Sequence, residues 1–227
     1  MPAGSSPFHI GLTPGRIIDT ALDLTRERHL TGWSIRDLAR RLDVAPSVIY
    51  HHVGGKDLLA RHVVERVLAA VVVPPATLPW QDWFRTLLIA MYPVVSPYPG
   101  VAQWLMMHGP AFPSVVPIMD TGIAVLQAGG FGDRTAVAYA MLLNNAMLTI
   151  TIGDQRLEHE DDGPRDHATM MAEFAQATAG SPGATLLSEA LMTPYAEGGD
   201  VADRERAEYY RSVVQVTLDG LAVSLAT

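Results

Sequence analysis

Apolar residues recur at spacings of three and four along nearly the whole chain, and the two-residue alternation of a half-buried strand is absent. Because a helix brings residues i, i+3, i+4 and i+7 to one face, this pattern predicts an all-α fold. Proline and glycine clusters cut the periodicity into segments. Thr13-Pro14 opens the first, with Thr as N-cap and Pro at the first helical position, and Ile17, Ile18, Ala21, Leu22 and Leu24 carry it to about Arg28. Ser34 opens a second helix with Asp37 three residues on, a variant of the capping box. Ile35, Leu38, Ala39 and Leu42 form its inner face. The turn Asp43-Val44-Ala45 leads to a very short third helix from Pro46 to about His52. Gly54-Gly55 breaks it, and a fourth runs from Lys56 to about Val73, where Pro74-Pro75 stops it. Further helices are expected at about 80–95, 100–108, 114–129, 133–152, 166–179, 185–192 and 203–225.

The 227 residues are enough for one large domain or two modest ones, and the helix pattern divides them into a leader (1–11), a head (12–66) and a body (67–227). The leader lacks the charged-then-apolar layout of a signal peptide. No uninterrupted run of eighteen apolar residues exists, so no membrane span is expected. The chain has no cysteine, which excludes disulfides, thiol catalysis and Cys-based zinc sites and fits a cytoplasmic protein. The formal net charge of −8 is unevenly spread: residues 1–66 carry nine Lys or Arg against seven acids, and the remainder seven against seventeen. A mildly basic head on an acidic body is the result.

Two short helices across a tight turn, the second beginning with small polar residues, make an arrangement that fits the DNA major groove. The first residues of such a helix meet base edges. Here these are Ala45, Ser47 and Val48, followed by Tyr50, His51 and His52. Ser47 can hydrogen-bond a base or a phosphate, Ala45 and Val48 can touch a thymine methyl, and Tyr50 and His51 have the reach for phosphate oxygens. Ser34 and Arg36, at the start of the second helix, join the DNA-facing set, and Arg36, Arg40 and Arg41 point outward. Lys56, the only lysine of the chain, begins the fourth helix, where a cation and exposed amides can meet a phosphate. The structural alternatives are a Tyr50 that caps a three-helix core, a His52 packed towards the fourth helix, and an arginine face that is merely solvated.

The segment from Gly32 to Leu59, with its small-residue helix start, Tyr50-His51-His52, short loop and Lys56-Asp57-Leu58-Leu59, resembles the DNA-binding domain of TetR-family repressors. The resemblance covers about residues 12–66. It implies that Tyr50 and Lys56 contact phosphates, and that Ala45, Ser47, Val48 and His51 lie at or near the bases. The chain departs from the family in carrying Gly54-Gly55 where members often have a bulkier loop.

Nine of ten methionines and three of four tryptophans fall in the body. Methionine adapts to varied apolar shapes, so these residues serve either as core gap-fillers or as the wall of a pocket for a mostly hydrophobic effector. The resemblance favours the pocket, whose expected lining is Trp83, Leu87, Met91, Trp104, Met107, His108, Met119, Met141, Asn144 and Asn145. The helix at 133–152 is apolar nearly all round and must be buried on every side, which calls for a partner chain. The last helix, 203–225, is similar, and the resemblance implies a homodimer through two such helices. A palindromic double-stranded operator, read by two recognition helices one turn apart, follows. Effector binding would lower DNA affinity by shifting the dimer geometry. No cofactor is expected; the acidic stretch His159-Glu160-Asp161-Asp162 reads as a solvated loop rather than a metal site. The alternatives are a helical ligand-binding or interaction module without DNA affinity, and a helical enzyme with His108 or His167 as base.

Overall fold

The computed structural model describes residues 12–158, 167–192 and 199–226. The expected leader and the stretch His159–Asp162 lie outside the described residues, as does the side chain of His167. Among the described residues every regular element is helical.

The head is built from α1 (Pro14–Arg28), α2 (Ile35–Leu42) and α3 (Pro46–Val53). Thr13 caps α1 by accepting the Arg16 N–H at 3.2 Å, with Pro14 first in the helix. The capping box of α2 is complete: Ser34 Oγ accepts the Asp37 N–H at 3.2 Å, and the Asp37 carboxylate accepts the Ser34 N–H at 3.0 Å. The Ser34 hydroxyl, which also donates to this carboxylate, together with the Ser34 N–H and Arg40, holds the Asp37 carboxyl below its usual range. Asp43 turns the chain into α3 with φ 54° and ψ 48°, a left-handed conformation that Asp tolerates. Ile17, Leu38, Ile49 and Leu59 are fully buried where the head helices meet.

Helix α4 (Lys56–Leu68) packs on α1 at one end and on α5 and α6 further along, so it crosses the division at residues 66 and 67. It stops at Leu68, not near Val73 as its apolar pattern suggested. The run Val71-Val72-Val73 leads into Pro74, which disfavours helical geometry in the residue before it.

The body comprises α5 (Trp80–Val95), α6 (Val101–His108), α7 (Val116–Ala128), α8 (Thr135–Glu158), α9 (His167–Ala177), α10 (Pro182–Leu187) and α11 (Gly199–Ala226). Single turns at Pro113–Val115, Gly132–Arg134 and Ser188–Met192 adjoin α7, α8 and α10. Helix α10 begins three residues before the expected 185, because Ser181 accepts the Ala184 N–H and Pro182 occupies the first helical position. Helix α8 lies inside the bundle, against α5, α6, α7 and α11. Gly122 lets α7 close on it and on α5: a Cβ there would stand 2.8 Å from the Tyr139 ring and 3.2 Å from that of Trp83.

The stretch Gly132–Asp154 has the length and apolarity of a membrane span, yet its Ala138, Leu142, Ala146 and Ile150 belong to the bundle core. Within the single chain its burial is one-sided, which leaves the remaining face for the partner chain that the sequence calls for. Val137, Met141, Leu148 and Ile152 form an exposed apolar stripe, and on adjacent α11 Tyr209, Val216 and Val223 form another.

Head and body meet at the turn between α5 and α6. Pro99 accepts the Leu30 N–H at 2.8 Å, and the buried Asp154 of α8 accepts the Gly100 N–H at 2.9 Å. Gly100 has φ 89°, and a Cβ on it would fall 2.5 Å from the His29 ring. Only glycine suits both its conformation and that approach.

Candidate DNA-binding surface and ligand cavities

Ile49 and Val53 seat α3 on the head core. Away from that seat, Ala45, Ser47, Tyr50 and His51 stand exposed, with Val48 and His52 half-buried. Tyr50 is 54% exposed, so it does not cap the core. The His51 and His52 rings meet edge-on at 5.7 Å and 71°. The helix therefore presents small residues at its start and longer polar tips behind, a profile that can enter a groove and reach its walls. Ser34 Oγ is engaged by the capping box and donates to Asp37 at 2.6 Å. Arg40 pairs with Asp37 at 3.1 Å, and Arg41 reaches Glu27 of α1 with one nitrogen at 2.7 Å. Arg36 is exposed and enters none of the ion pairs found among the described residues.

Lys56 is turned inward rather than extended towards a phosphate. Its ammonium donates to the carbonyls of Leu30 at 2.8 Å and Trp33 at 2.9 Å, and lies over the Trp33 ring. Trp33 is itself fixed by an Nε1–H bond to Thr25 Oγ1 at 3.0 Å. Burial pushes the Lys56 ammonium down to about 7, against the pull of Asp37 and Asp57. The two carbonyls and the ring face also favour its charged form. The indole platform that draws the ammonium inward was present in the sequence at Trp33, but a separation of 23 residues concealed the pairing.

The ten expected pocket residues part company in the structure. A body cavity of about 240 Å³ holds Met91 and Asn144 in its wall. Trp83 and Leu87 are fully buried in the solid core, and Met119 packs at its edge. Met107 is 75% exposed, and Met141 lies on the exposed stripe of α8. Asn145 instead donates to Thr217 of α11 at 3.3 Å. Trp104 and His108 line a separate cleft beside the head. Helical phase explains the sorting, since each residue turns about 100° from the last. Met106 faces the cavity while Met107 turns away, and Asn144 faces it while Asn145 does not. The wall residues missed from sequence include Tyr139 and Leu143, which with Met147 form an i, i+4, i+8 stripe on α8. Burial raises the Tyr139 phenol to about 12, so it stays protonated beside the Asn144 amide. Leu68, the last residue of α4, and Val71 just beyond it complete the wall on the head side.

A third cavity, of about 320 Å³, is polar and includes Asp154 and Arg206. Burial raises the Asp154 carboxyl to about 7, against the Gly100 amide and Arg206. Among the described residues no group of three or more His, Asp or Glu is arranged to hold a metal ion.

Residues 17–63 match the family described as bacterial regulatory proteins, tetR family. An HTH-type transcriptional regulator of Saccharopolyspora erythraea is 24% identical over 152 residues, covering 66% of this chain and 64% of that protein. The match thus spans a little under two thirds of the curated relative. Among solved structures, a possible TetR family transcriptional regulator from Streptomyces coelicolor A3(2) superposes with a TM-score of 0.72 at 22% identity, covering 92% of this chain and 98% of the other. ActR of Streptomyces coelicolor in complex with actinorhodin gives 0.63 at 22% identity, with 93% and 97% covered. BioQ of Mycobacterium smegmatis gives 0.63 at 18% identity, with 93% and 98% covered. These three share the fold with the chain over nearly its whole length.

Proposed function

The chain belongs to the TetR family of bacterial regulatory proteins, and from that premise we propose that it is a repressor that binds a palindromic operator as a homodimer and is released by a small, mostly apolar effector. The observation that carries this reading is α3, seated by Ile49 and Val53 with Ala45, Ser47, Tyr50 and His51 exposed. In this reading Ala45, Ser47 and Val48 face base edges. His51 lies near them, and Tyr50 and Arg36 meet backbone oxygens, which position the protein without reading sequence. Ser34 and His52 sit at the margin of that surface. For Lys56 to take a phosphate, its ammonium must leave the Leu30 and Trp33 carbonyls. A DNA-binding regulator of this kind acts in the cytoplasm.

Dimerisation is supported by the two adjacent stripes, Val137, Met141, Leu148 and Ile152 on α8 and Tyr209, Val216 and Val223 on α11. Contiguous exposed apolar surface of this sort marks an interface. The Asn145–Thr217 bond ties the two helices together at its edge.

The effector site is the body cavity, which is apolar apart from the Tyr139 hydroxyl and the Asn144 amide. ActR, solved with actinorhodin, has the same fold; for this chain the cavity of about 240 Å³ supports a small, mostly apolar molecule, oriented by two polar groups. Its coupling to DNA would run through α4, which lines the cavity with Leu68 and enters the head at Lys56. An effector that fits only when α4 has shifted would draw the dimer away from the spacing of successive major grooves.

Selection of bound sequences from a random duplex pool tests the proposal. The expected product is a palindrome with half-sites about one helical turn apart, whose affinity falls with added salt. Recovery of no enriched site, or salt-independent binding, would reject it.

A further inference from the structure

A cleft of about 710 Å³ lies between the start of α4 and the end of α6, outside the body cavity and sharing no residue with it. Three rings line one side. Trp104 and His108 stack at 4.4 Å and 20°, and Phe112 lies 5.7 Å from Trp104 at 30°. On the α4 side, the Arg61 guanidinium sits 5.4 Å over the Phe112 ring and donates to the Ala111 carbonyl at 3.1 Å. That bond uses one of five guanidinium N–H donors. Lys56 stands deeper in the cleft, its ammonium held by the Leu30 and Trp33 carbonyls and by the face of the Trp33 ring. Leu58 is 54% exposed at this edge, an apolar side chain that serves no part of the head core. The charges are two cations against one carboxylate, Asp57, in a chain whose net charge is −8.

We propose that this cleft is a second small-molecule site, distinct from the effector cavity, which takes a planar aromatic carboxylate. Its ring lies against the Trp104–His108 stack and Leu58, its carboxylate meets Arg61, and Lys56 behind adds its positive charge to the site. Indole and guanidinium planes both favour flat π-systems, and a guanidinium matches a carboxylate with two parallel donors. The position gives the site a consequence. Its walls come from α4, which carries the head, and from α6 of the body, so an occupant bridges the two and favours one arrangement of them. Operator affinity and occupancy of the cleft are then coupled, by the same factor in each direction.

Equilibrium dialysis of the full-length protein against 2-naphthoate tests the assignment, with 2-naphthamide as its neutral counterpart. Saturable binding of the carboxylate is expected, with the amide at least about tenfold weaker, the scale of a charge-assisted hydrogen bond. Arg61→Gln should weaken naphthoate by a similar factor, and Trp104→Leu should weaken both compounds. Leu143→Trp, which fills the body cavity, should leave naphthoate binding within about twofold. Arg61 is exposed, so its variant is expected to keep the melting temperature of the parent. Equal binding of acid and amide, indifference to Arg61→Gln, loss of binding in Leu143→Trp, or no saturation in the millimolar range would each overturn the proposal.

Discussion

The head and the body expose themselves to partners in opposite ways. In the head, a helix of eight residues is held by two buried anchors and offers small and polar tips, so the partner is met by protruding side chains. In the body, the two longest helices offer apolar stripes, and α8 with α4 to α7 surrounds a cavity, so the partners are met by shape and by water exclusion. A protruding polar tip can be removed at little cost to the fold, whereas an apolar stripe or a cavity wall is continuous with the core. Function and stability should therefore separate cleanly in the head and remain entangled in the body.

The sharpest break in this comparison is expected at the stripes. Val216→Asp places a charge where the proposed partner chain would bury it, and sedimentation should show monomers. Operator affinity should fall about a hundredfold or more, since an unpaired buried charge costs several kcal/mol. A dimer that persists with unchanged affinity would move the interface elsewhere.

The joint between head and body comes next. With the Asp154 carboxyl raised to about 7, the folded chain holds a proton between about pH 4 and 7 that the unfolded chain has lost. Its contribution to stability is therefore full below pH 4 and gone once the pH passes about 7. Asp154→Asn keeps an oxygen for the Gly100 N–H and removes the titration. The variant should be more stable than the parent at pH 8, by on the order of 4 kcal/mol at most, with the difference closing towards pH 4. Parallel melting curves for the two proteins across that range would refute the buried-acid account.

In the head, Tyr50→Ala should lower operator affinity by roughly 1–3 kcal/mol while shifting stability by less than about 0.5 kcal/mol. A matching loss of stability would mean that Tyr50 supports the fold after all. Lys56→Met should do the reverse. Leaving the Leu30 and Trp33 carbonyls without their donor should cost about 1–2 kcal/mol of stability. The salt dependence of operator binding decides its second role: a slope reduced by about one counts the ammonium as a phosphate contact, and an unchanged slope makes it a structural tie alone.

Legibility differed between the regions for the same reason that their partners differ. The Thr13 and Ser34 caps, the Asp43 turn and the face of α3 depend on residues within four positions of one another, and each stands where the pattern put it. Ser34 and Asp37 could be paired by eye because a capping box has a fixed spacing. The cavity wall could not be read as a composition. Methionine enrichment pointed to the body, but phase within α5, α6 and α8 decided that Met91 and Met106 face the cavity while Met107 and Met141 do not. Counting along α8 would have grouped Tyr139, Leu143 and Met147; it could not have shown which side of the helix the cavity occupies.

Periodicity, caps and proline breaks were thus sufficient for an all-helical chain with a recognition helix near its start, because hydrogen bonds and steric preferences within one helical turn settle those features. Contacts across tens of residues were left to the tertiary structure. Lys56 finds Trp33 across 23 positions, and the Asp154 carboxylate finds the Gly100 amide across 54. Such pairings depend on how helices pack, a property of the assembled core as a whole.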